Sequence, residues 1–124
     1  MTHSADKGID QLDRARLLQL YEDDTETLIS TIEMFLDEVV PAFQVLESRI
    51  ESQDWTGVCG MTHQLRPWLG MVGLTRLEQQ LETIEHLAKE KPDYEMIQNT
   101  YRNFTANLEH MQPVLKTELQ QLTQ

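Results

Sequence analysis

The sequence predicts an all-α protein, in which an antiparallel four-helix bundle carries an additional short N-terminal helix. Three observations support this fold class. Apolar residues recur with the 3.6-residue period of a helix along most of the chain, no segment alternates strictly as a strand does, and the breaks between periodic segments are short. A length of 124 residues suits one domain. We therefore expect a flexible tail over residues 1–9 and a single helical domain over residues 10–124.

The first half of the chain contains two predicted helices. A short helix covers about Asp10 to Tyr21, and its apolar side comprises Leu12, Leu17, Leu18 and Leu20. The acidic run that ends at Thr25 is typical of a helix start, where the helix dipole favours negative charge. A long helix then extends to about Gln53, and we expect Pro41 to kink it. Its apolar stripe comprises Leu28, Ile32, Phe35, Val39, Phe43, Leu46 and Ile50.

The second half contains three more predicted helices. Asp54 is a suitable N-cap for a helix over about Trp55 to Met71, and Gly73 interrupts the pattern after it. A leucine-rich helix follows and ends near residues 89–92. Asp93 then caps a last long helix, whose stripe comprises Ile97, Tyr101, Phe104, Leu108, Met111, Leu115, Leu119 and Leu122.

Composition and charge narrow the classes of function. The net charge is −11, which opposes binding to nucleic acid or to anionic lipid, because both recruit clustered Lys and Arg. No apolar run reaches the roughly 18 residues that a membrane span needs, and the N-terminus lacks a signal-peptide pattern. The single Cys59 is typical of a reducing compartment. We therefore expect a cytoplasmic protein with a protein partner. Because it starts at Met1 and ends in a polar, Gln-rich segment, we also expect a complete chain.

His63 is the residue that helix geometry singles out. A helix advances about 100° per residue, so on the predicted helix from Trp55 the apolar residues fall roughly 120–180° away from His63. This arc comprises Val58, Met61, Leu65, Trp68, Leu69 and Val72. We therefore expect His63 to be exposed on the side opposite the core.

Small or compact residues share the face of His63. Those within roughly 60° of it on the helix are Thr56, Cys59, Gly60, Pro67 and Gly70. Glycine costs about 0.5–1 kcal/mol relative to alanine inside a helix, and proline costs of order 3 kcal/mol. One reason to retain such residues is that a bare surface lets the backbone of another protein approach the imidazole. This face, flanked by Arg66, is therefore a candidate docking surface.

Other interpretations of His63 are also available. An ordinary surface histidine is the commonest case, and that interpretation stays open. Cys59 and His63 have the i, i+4 spacing of two metal ligands, but the sequence offers no second His/Cys pair and no Glu-x-x-His motif of the di-iron bundles. A recognisable Ser/His/Asp arrangement and a glycine-rich phosphate loop are missing as well. We therefore predict no metal site and no bound cofactor.

The segment from His63 to Leu74 resembles the histidine-containing phosphotransfer (HPt) domain of bacterial phosphorelays. The family pattern is a histidine, an apolar residue at +2, a basic residue at +3, glycine at +4, and then a small turn that ends in glycine-leucine or glycine-alanine. The matching residues are Leu65, Arg66, Gly73 and Leu74. Arg66 stands in place of the more usual lysine, and Pro67 in place of the glycine. The order of the helices also follows the family across most of the chain.

This resemblance implies a function and assigns roles. His63 would accept a phosphoryl group from a receiver-domain aspartate and pass it to another receiver, and Arg66 would stabilise the phosphoryl oxygens. The residues assigned to partner docking are Thr56, Cys59, Gly60, Gln64, Pro67 and Gly70. The partners would be receiver domains of response regulators or hybrid histidine kinases, and these would carry the Mg²⁺. The chain itself would be a monomeric phosphotransfer intermediate without a kinase domain, rather than a complete enzyme. The alternative is a non-transferring acidic helical adaptor that docks a receiver or another protein through the same patch.

Overall fold

The computed structural model describes residues 11–124, and in that range it contains five helices and no strand. Helix α1 comprises Arg14–Tyr21, and α2 has three continuous segments: α-helical Thr25–Met34, π-helical Phe35–Val39 and α-helical Val40–Glu51. The remaining helices are α3, Trp55–Met71, α4, Thr75–Glu90, and α5, Tyr94–Leu122. The predicted all-α fold class is therefore confirmed. The predicted tail over residues 1–9 lies outside the described residues, and the domain boundaries stay a prediction.

Helices α2 to α5 form the bundle. Short connections at residues 52–54, 72–74 and 91–93 reverse the chain, so consecutive helices run antiparallel. Helix α3 packs against α2 and most extensively against α4, while α5 packs against α4 and α2 and lies diagonally opposite α3. The largest fully buried side chains come from all four helices: Phe35, Phe104, Ile32, Leu46, Ile50, Leu69, Leu77, Leu81, Ile84, Ile97, Met111 and Leu115.

Aspartate side chains begin four of the five helices. In each case a carboxylate oxygen accepts a hydrogen bond from the backbone N–H three residues later, at 3.1 Å. These N-caps are Asp13, Asp24, Asp54 and Asp93. Each satisfies one of the amides that a helix start leaves without an intrahelical partner. The predicted caps at Asp54 and Asp93 are confirmed.

The N-terminal helix α1 is tied to one end of the bundle. Arg14 donates two hydrogen bonds to the carboxylate of Glu118 in α5, at 2.8 and 2.6 Å. At the other end of α1, the Tyr21 hydroxyl donates to the backbone carbonyl of Met71, the last residue of α3, at 2.7 Å. The helix begins at Arg14, later than the predicted start near Asp10, which itself lies outside the described residues.

The apolar side predicted for α1 is partly wrong. Leu12 and Leu17 are buried, whereas 68% of Leu18 and 49% of Leu20 is exposed. A helix that lies on one end of a bundle buries only a narrow side. The two leucines on its other sides therefore remain in solvent.

The turn between α3 and α4 requires glycine. Gly73 has a φ of +81°, in the left-handed region that favours this residue. A Cβ at this position would also meet the side chain of Leu17 at 3.1 Å. The backbone N–H of Asp13 donates to the Gly73 carbonyl at 2.8 Å, so the same turn anchors the start of α1.

The long helix α2 accommodates its proline through a π-helical turn. Pro41 has no amide hydrogen, and its ring would crowd the carbonyl four residues earlier in a regular α-helix. The π-helical segment Phe35–Val39 ends two residues before Pro41, and the Val40 N–H donates to the Phe35 carbonyl five residues back. The disturbance predicted at Pro41 therefore takes the form of a wider turn.

Candidate functional site

His63 projects from the middle of α3 into solvent. Its side chain is 72% exposed. On the opposite side of α3 the residues Val58, Leu65, Leu69 and Val72 are buried, and Met61 and Trp68 are half-buried. The predicted exposure of His63 opposite the core is confirmed.

Several of the predicted docking residues lie together beside His63. Thr56, Cys59 and Gly60 line an open depression with His63, and α4 closes its other side with Glu85, Ala88 and Lys89. Gln64 and Pro67 continue the exposed surface along α3. We call the exposed or half-exposed residues Thr56, Cys59, Gly60, His63, Gln64 and Pro67 the α3 patch.

The prediction that Gly70 belongs to this surface is wrong. Gly70 is buried, although it lies almost directly in line with His63 on the helix. A Cβ added to it would meet the Arg16 guanidinium at 2.6 Å and the Glu78 carboxylate at 2.7 Å. Arg16 and Glu78 also form an ion pair, with 3.5 Å between Nη1 and Oε1. Helix α1 therefore covers this end of α3, and the patch ends near Pro67.

Gly60 differs from the other helical glycines because the space above it is empty. A Cβ at Gly60 would have no atom of the described residues within 4 Å, outside its own helix backbone. At Gly57 and Gly70, by contrast, an added Cβ would meet side-chain atoms at less than 3 Å. The packing of residues 11–124 therefore gives no reason for glycine at position 60.

Arg66 is held by carboxylates of α4. Its Nη1 donates to Glu82 Oε2 at 3.0 Å, and its Nη2 lies 3.6 Å from Glu85 Oε1. The Arg66 side chain is only 24% exposed. The guanidinium therefore lies against α4, at the edge of the α3 surface.

Glu85 contacts both of the functional side chains predicted from the sequence. One carboxylate oxygen, Oε2, lies 3.6 Å from His63 Nδ1, and the other faces Arg66. The Glu85 side chain is 20% exposed. Its Oε1 atom is buried and has no hydrogen-bond partner among residues 11–124. The site therefore contains an anionic group between the imidazole and the guanidinium.

Cys59 is held as a thiol on the α4 side of the patch. Burial raises the pKa of this thiol, and the negative charge of Glu85 raises it further, while Lys89 opposes the shift. The sulfur donates a weak hydrogen bond to the backbone carbonyl of Glu85 at 3.8 Å. Because only the thiolate is a good nucleophile, the raised pKa opposes a nucleophilic role for Cys59.

The described residues offer neither a metal site nor a membrane-spanning helix. Within residues 11–124, no group of three or more His, Cys, Asp or Glu side chains is placed to hold a metal ion. No helix in the same range is long and apolar enough to cross a membrane.

Sequence reasoning missed the two glutamates of α4. Glu82 and Glu85 are three residues apart, so they share one helix face, and this spacing was visible in the sequence. The side of α4 that packs beside His63, and its register along α3, come only from the tertiary structure.

Comparison with known proteins identifies the family of the chain but no individual relative. A family model described as Hpt domain matches residues 16–124. The match begins inside α1 and includes every helix of the bundle. Neither the search of curated proteins nor the search of solved structures found a match.

Proposed function

Since the chain belongs to the Hpt domain family, whose domains transfer phosphoryl groups through a histidine and interact with receiver domains in phosphorelays, we propose that His63 is the phosphoryl-accepting residue. The proposal extends to direction: His63 takes the group from a receiver aspartate and gives it to the aspartate of a second receiver. We also propose that the protein is a monomer and that it acts in the cytoplasm.

The observation that carries this proposal is the exposed imidazole on a bare helix face. His63 is 72% exposed, and its neighbours along α3 are small or compact side chains. The other described histidines, His86 and His110, are also exposed, but neither of these two histidines lines the depression around His63. A receiver must bring its aspartate close to the nucleophile, and the α3 patch leaves room for that approach.

The chemistry needs a neutral imidazole, which is available near pH 7. The lone pair of Nε2 attacks the phosphorus of the aspartyl phosphate, so a P–N bond forms as the P–O bond to the aspartate breaks. The electron pair of the broken bond remains on the aspartate carboxylate, and the ring keeps its proton on Nδ1 as a phosphoimidazolium. In the second step a carboxylate of the next receiver attacks the phosphorus, and the P–N electron pair returns to Nε2.

Arg66 is proposed to offset the charge of the phosphoryl oxygens. Its guanidinium already lies beside the site, held through Glu82 and Glu85. A phosphoryl group on His63 would add up to two negative charges near those carboxylates. Arg66 would then exchange part of its contact with the glutamates for contact with the phosphoryl oxygens, which accept bidentate hydrogen bonds from a guanidinium.

A transfer assay tests the proposal. A receiver domain is first phosphorylated with labelled acetyl phosphate in the presence of Mg²⁺ and is then mixed with the protein. The labelled phosphoryl group that appears on the protein is followed over time. We expect the wild type and His86→Gln to be labelled equally and His63→Gln to remain unlabelled. The label should be lost in acid and retained in base, as a phosphoramidate requires.

Two outcomes would contradict the proposal. Labelling of His63→Gln would place the acceptor elsewhere. A protein that binds phosphorylated receivers but takes no label from any of them would be the non-transferring adaptor that the sequence left open.

A further inference from the structure

Arg66, the basic residue beside His63, already contacts two carboxylates in the unmodified protein. Its Nη1 donates to Glu82 Oε2 at 3.0 Å, and its Nη2 lies 3.6 Å from Glu85 Oε1. The two glutamates together carry two negative charges against the single positive charge of the guanidinium, in a chain whose net charge is −11. A phosphoryl group on His63 must therefore compete with these carboxylates for Arg66.

Glu82 is the carboxylate that can release Arg66 at the lower cost. Its side chain is 50% exposed, so water replaces the guanidinium as its partner when Arg66 moves. Glu85 is only 20% exposed, and its Oε1 is buried without a hydrogen-bond partner among residues 11–124. Taking the guanidinium away from Glu85 would leave a largely buried charge without compensation. We therefore expect Arg66 to keep its contact with Glu85 and to give up Glu82.

Arg66 can turn toward a group on His63 without leaving Glu85. The two residues are three apart on α3, so they are neighbours on the helix surface. Glu85 contacts both of them, with 3.6 Å to His63 Nδ1 and 3.6 Å to Arg66 Nη2. A guanidinium has five N–H donors in a planar fork, so a rotation can bring Nη1 from Glu82 to a phosphoryl oxygen while Nη2 stays beside Glu85.

We propose that Glu82 competes with the phosphoryl group for Arg66 and thereby shifts the transfer equilibrium away from phosphorylated His63 and toward the phosphorylated receiver. This inference rests on the proposed function. The ion pair between Arg66 and Glu82 breaks when the phosphoryl group arrives on His63, and it forms again when the group leaves for a receiver aspartate. The free energy of the ion pair therefore counts against the phosphorylated protein. Glu82 is a positioning residue that acts through Arg66, and it makes the protein a better phosphoryl donor.

Two substitutions on α4 give a matched comparison. Glu82→Gln removes the competing charge and keeps the shape of the side chain. Glu90→Gln removes the same charge from the exposed C-terminal end of α4, where the carboxylate forms no ion pair with the described residues. Combining Glu82→Gln with Arg66→Ala tests whether Glu82 acts through Arg66. Circular dichroism establishes that each variant retains its helices.

The first measurement is the position of the transfer equilibrium. A receiver that labels the wild type is phosphorylated with labelled acetyl phosphate, separated from excess reagent and mixed with each full-length variant. The ratio of labelled protein to labelled receiver is read when transfer reaches its plateau. Exposed ion pairs are weak, so we expect this ratio to be about three-fold higher in Glu82→Gln than in the wild type. Glu90→Gln should match the wild type, and Glu82→Gln should lose most of its effect in the Arg66→Ala background.

The second measurement needs no receiver. Phosphoramidate transfers its phosphoryl group to an imidazole nitrogen and releases ammonia, and the ³¹P magnetic resonance signal of phosphorylated His63 is the one missing from His63→Gln. A protein-bound phosphoryl group loses its second proton with a pKa of about 6. A nearby guanidinium lowers this pKa because it favours the dianion. The pKa should therefore be lower in Glu82→Gln than in the wild type, by about 0.5, and higher in Arg66→Ala.

The outcomes separate this inference from the proposed function. A plateau ratio or a phosphoryl pKa that Glu82→Gln leaves unchanged overturns the competition. Equal changes in Glu82→Gln and Glu90→Gln also overturn it, because the overall charge would then be the cause. An effect of Glu82→Gln that is the same with and without Arg66 overturns it as well, since Glu82 would act on the phosphoryl group directly. A wild-type protein that no receiver labels refutes the proposed function, while the ³¹P titration still decides whether Glu82 competes for Arg66.

Discussion

Replacing Gly60 by alanine should increase stability and impair transfer at the same time. Gly60 is the sixth residue of α3 and is exposed, and an added methyl group would meet no atom of the described residues within 4 Å. The substitution therefore removes the entropic cost of glycine in a helix without a steric cost. The expected gain in the free energy of unfolding is about 0.5–1 kcal/mol. For a chain of 124 residues this corresponds to a rise in melting temperature of roughly 2–5 °C.

The same methyl group would stand one turn from His63, on the surface that a receiver is proposed to approach. Inserting a methyl group into a well-packed contact costs about 1–2 kcal/mol. This cost corresponds to a loss of roughly ten-fold in affinity for the receiver. Stability is measured by thermal and urea denaturation followed by circular dichroism. Transfer is measured from initial labelling rates over a range of concentrations of phosphorylated receiver, and the half-saturating concentration should rise.

Asn103→Ala serves as the control for this prediction. Asn103 is exposed on α5, diagonally opposite α3, and alanine is favoured over asparagine in a helix by roughly 0.5–0.7 kcal/mol. It should match the gain in stability with no change in transfer. A Gly60→Ala protein that transfers at the wild-type rate would refute the argument that glycine keeps the patch bare for a partner. A loss of stability would refute the assignment of position 60 as unobstructed helix.

Three further predictions concern the bundle and the phosphoryl site. Gly73→Ala should lower the free energy of unfolding by about 1–3 kcal/mol, because alanine at a φ of +81° is strained and its methyl group meets Leu17; an unchanged urea midpoint would contradict this. Hydrogen bonds from Arg14 lower the pKa of Glu118 below its ordinary value of 4.5, so their stabilisation is present above that value and is lost as the pH falls through the folded-state pKa. The free energy of unfolding of the wild type should therefore exceed that of Glu118→Gln by about 1 kcal/mol at neutral pH, and this difference should shrink as the pH falls below 4.5; a difference that stays constant on acidification would exclude this explanation. Arg66→Ala should slow labelling of His63 about ten-fold with unchanged helicity, and Arg66→Lys should slow it less; equal rates in all three proteins would leave Arg66 without a role in transfer.

The helices were predictable because their signals are local. Asp54 and Asp93 satisfy the amides at the start of their own helices, and the apolar stripes report only the side that each helix buries. The exposure of His63 follows from the same reasoning, since the angle between two residues of one helix does not depend on the rest of the fold. These features therefore needed no knowledge of tertiary contacts.

The features that were mispredicted or missed depend on contacts between helices. Gly70 shares the angular position of His63 on α3, but Arg16 of α1 covers it. Local sequence patterns do not predict the path that α1 takes across the bundle. The pairing of Arg66 with Glu82 and Glu85 likewise depends on the register of α4 along α3. The site was therefore predictable as one exposed histidine with a basic neighbour, whereas its acidic side required the structure.

Localising the transferred phosphoryl group on the protein tests whether His63 is the phosphoryl acceptor. The protein is incubated with a phosphorylated receiver, kept at neutral to basic pH, and analysed by mass spectrometry as intact protein and as peptides. We expect a mass gain of one phosphoryl group, located on His63 and absent from His63→Gln. A phosphoryl group found on His86, on His110 or on any carboxylate of this chain, with His63 unmodified, would contradict it.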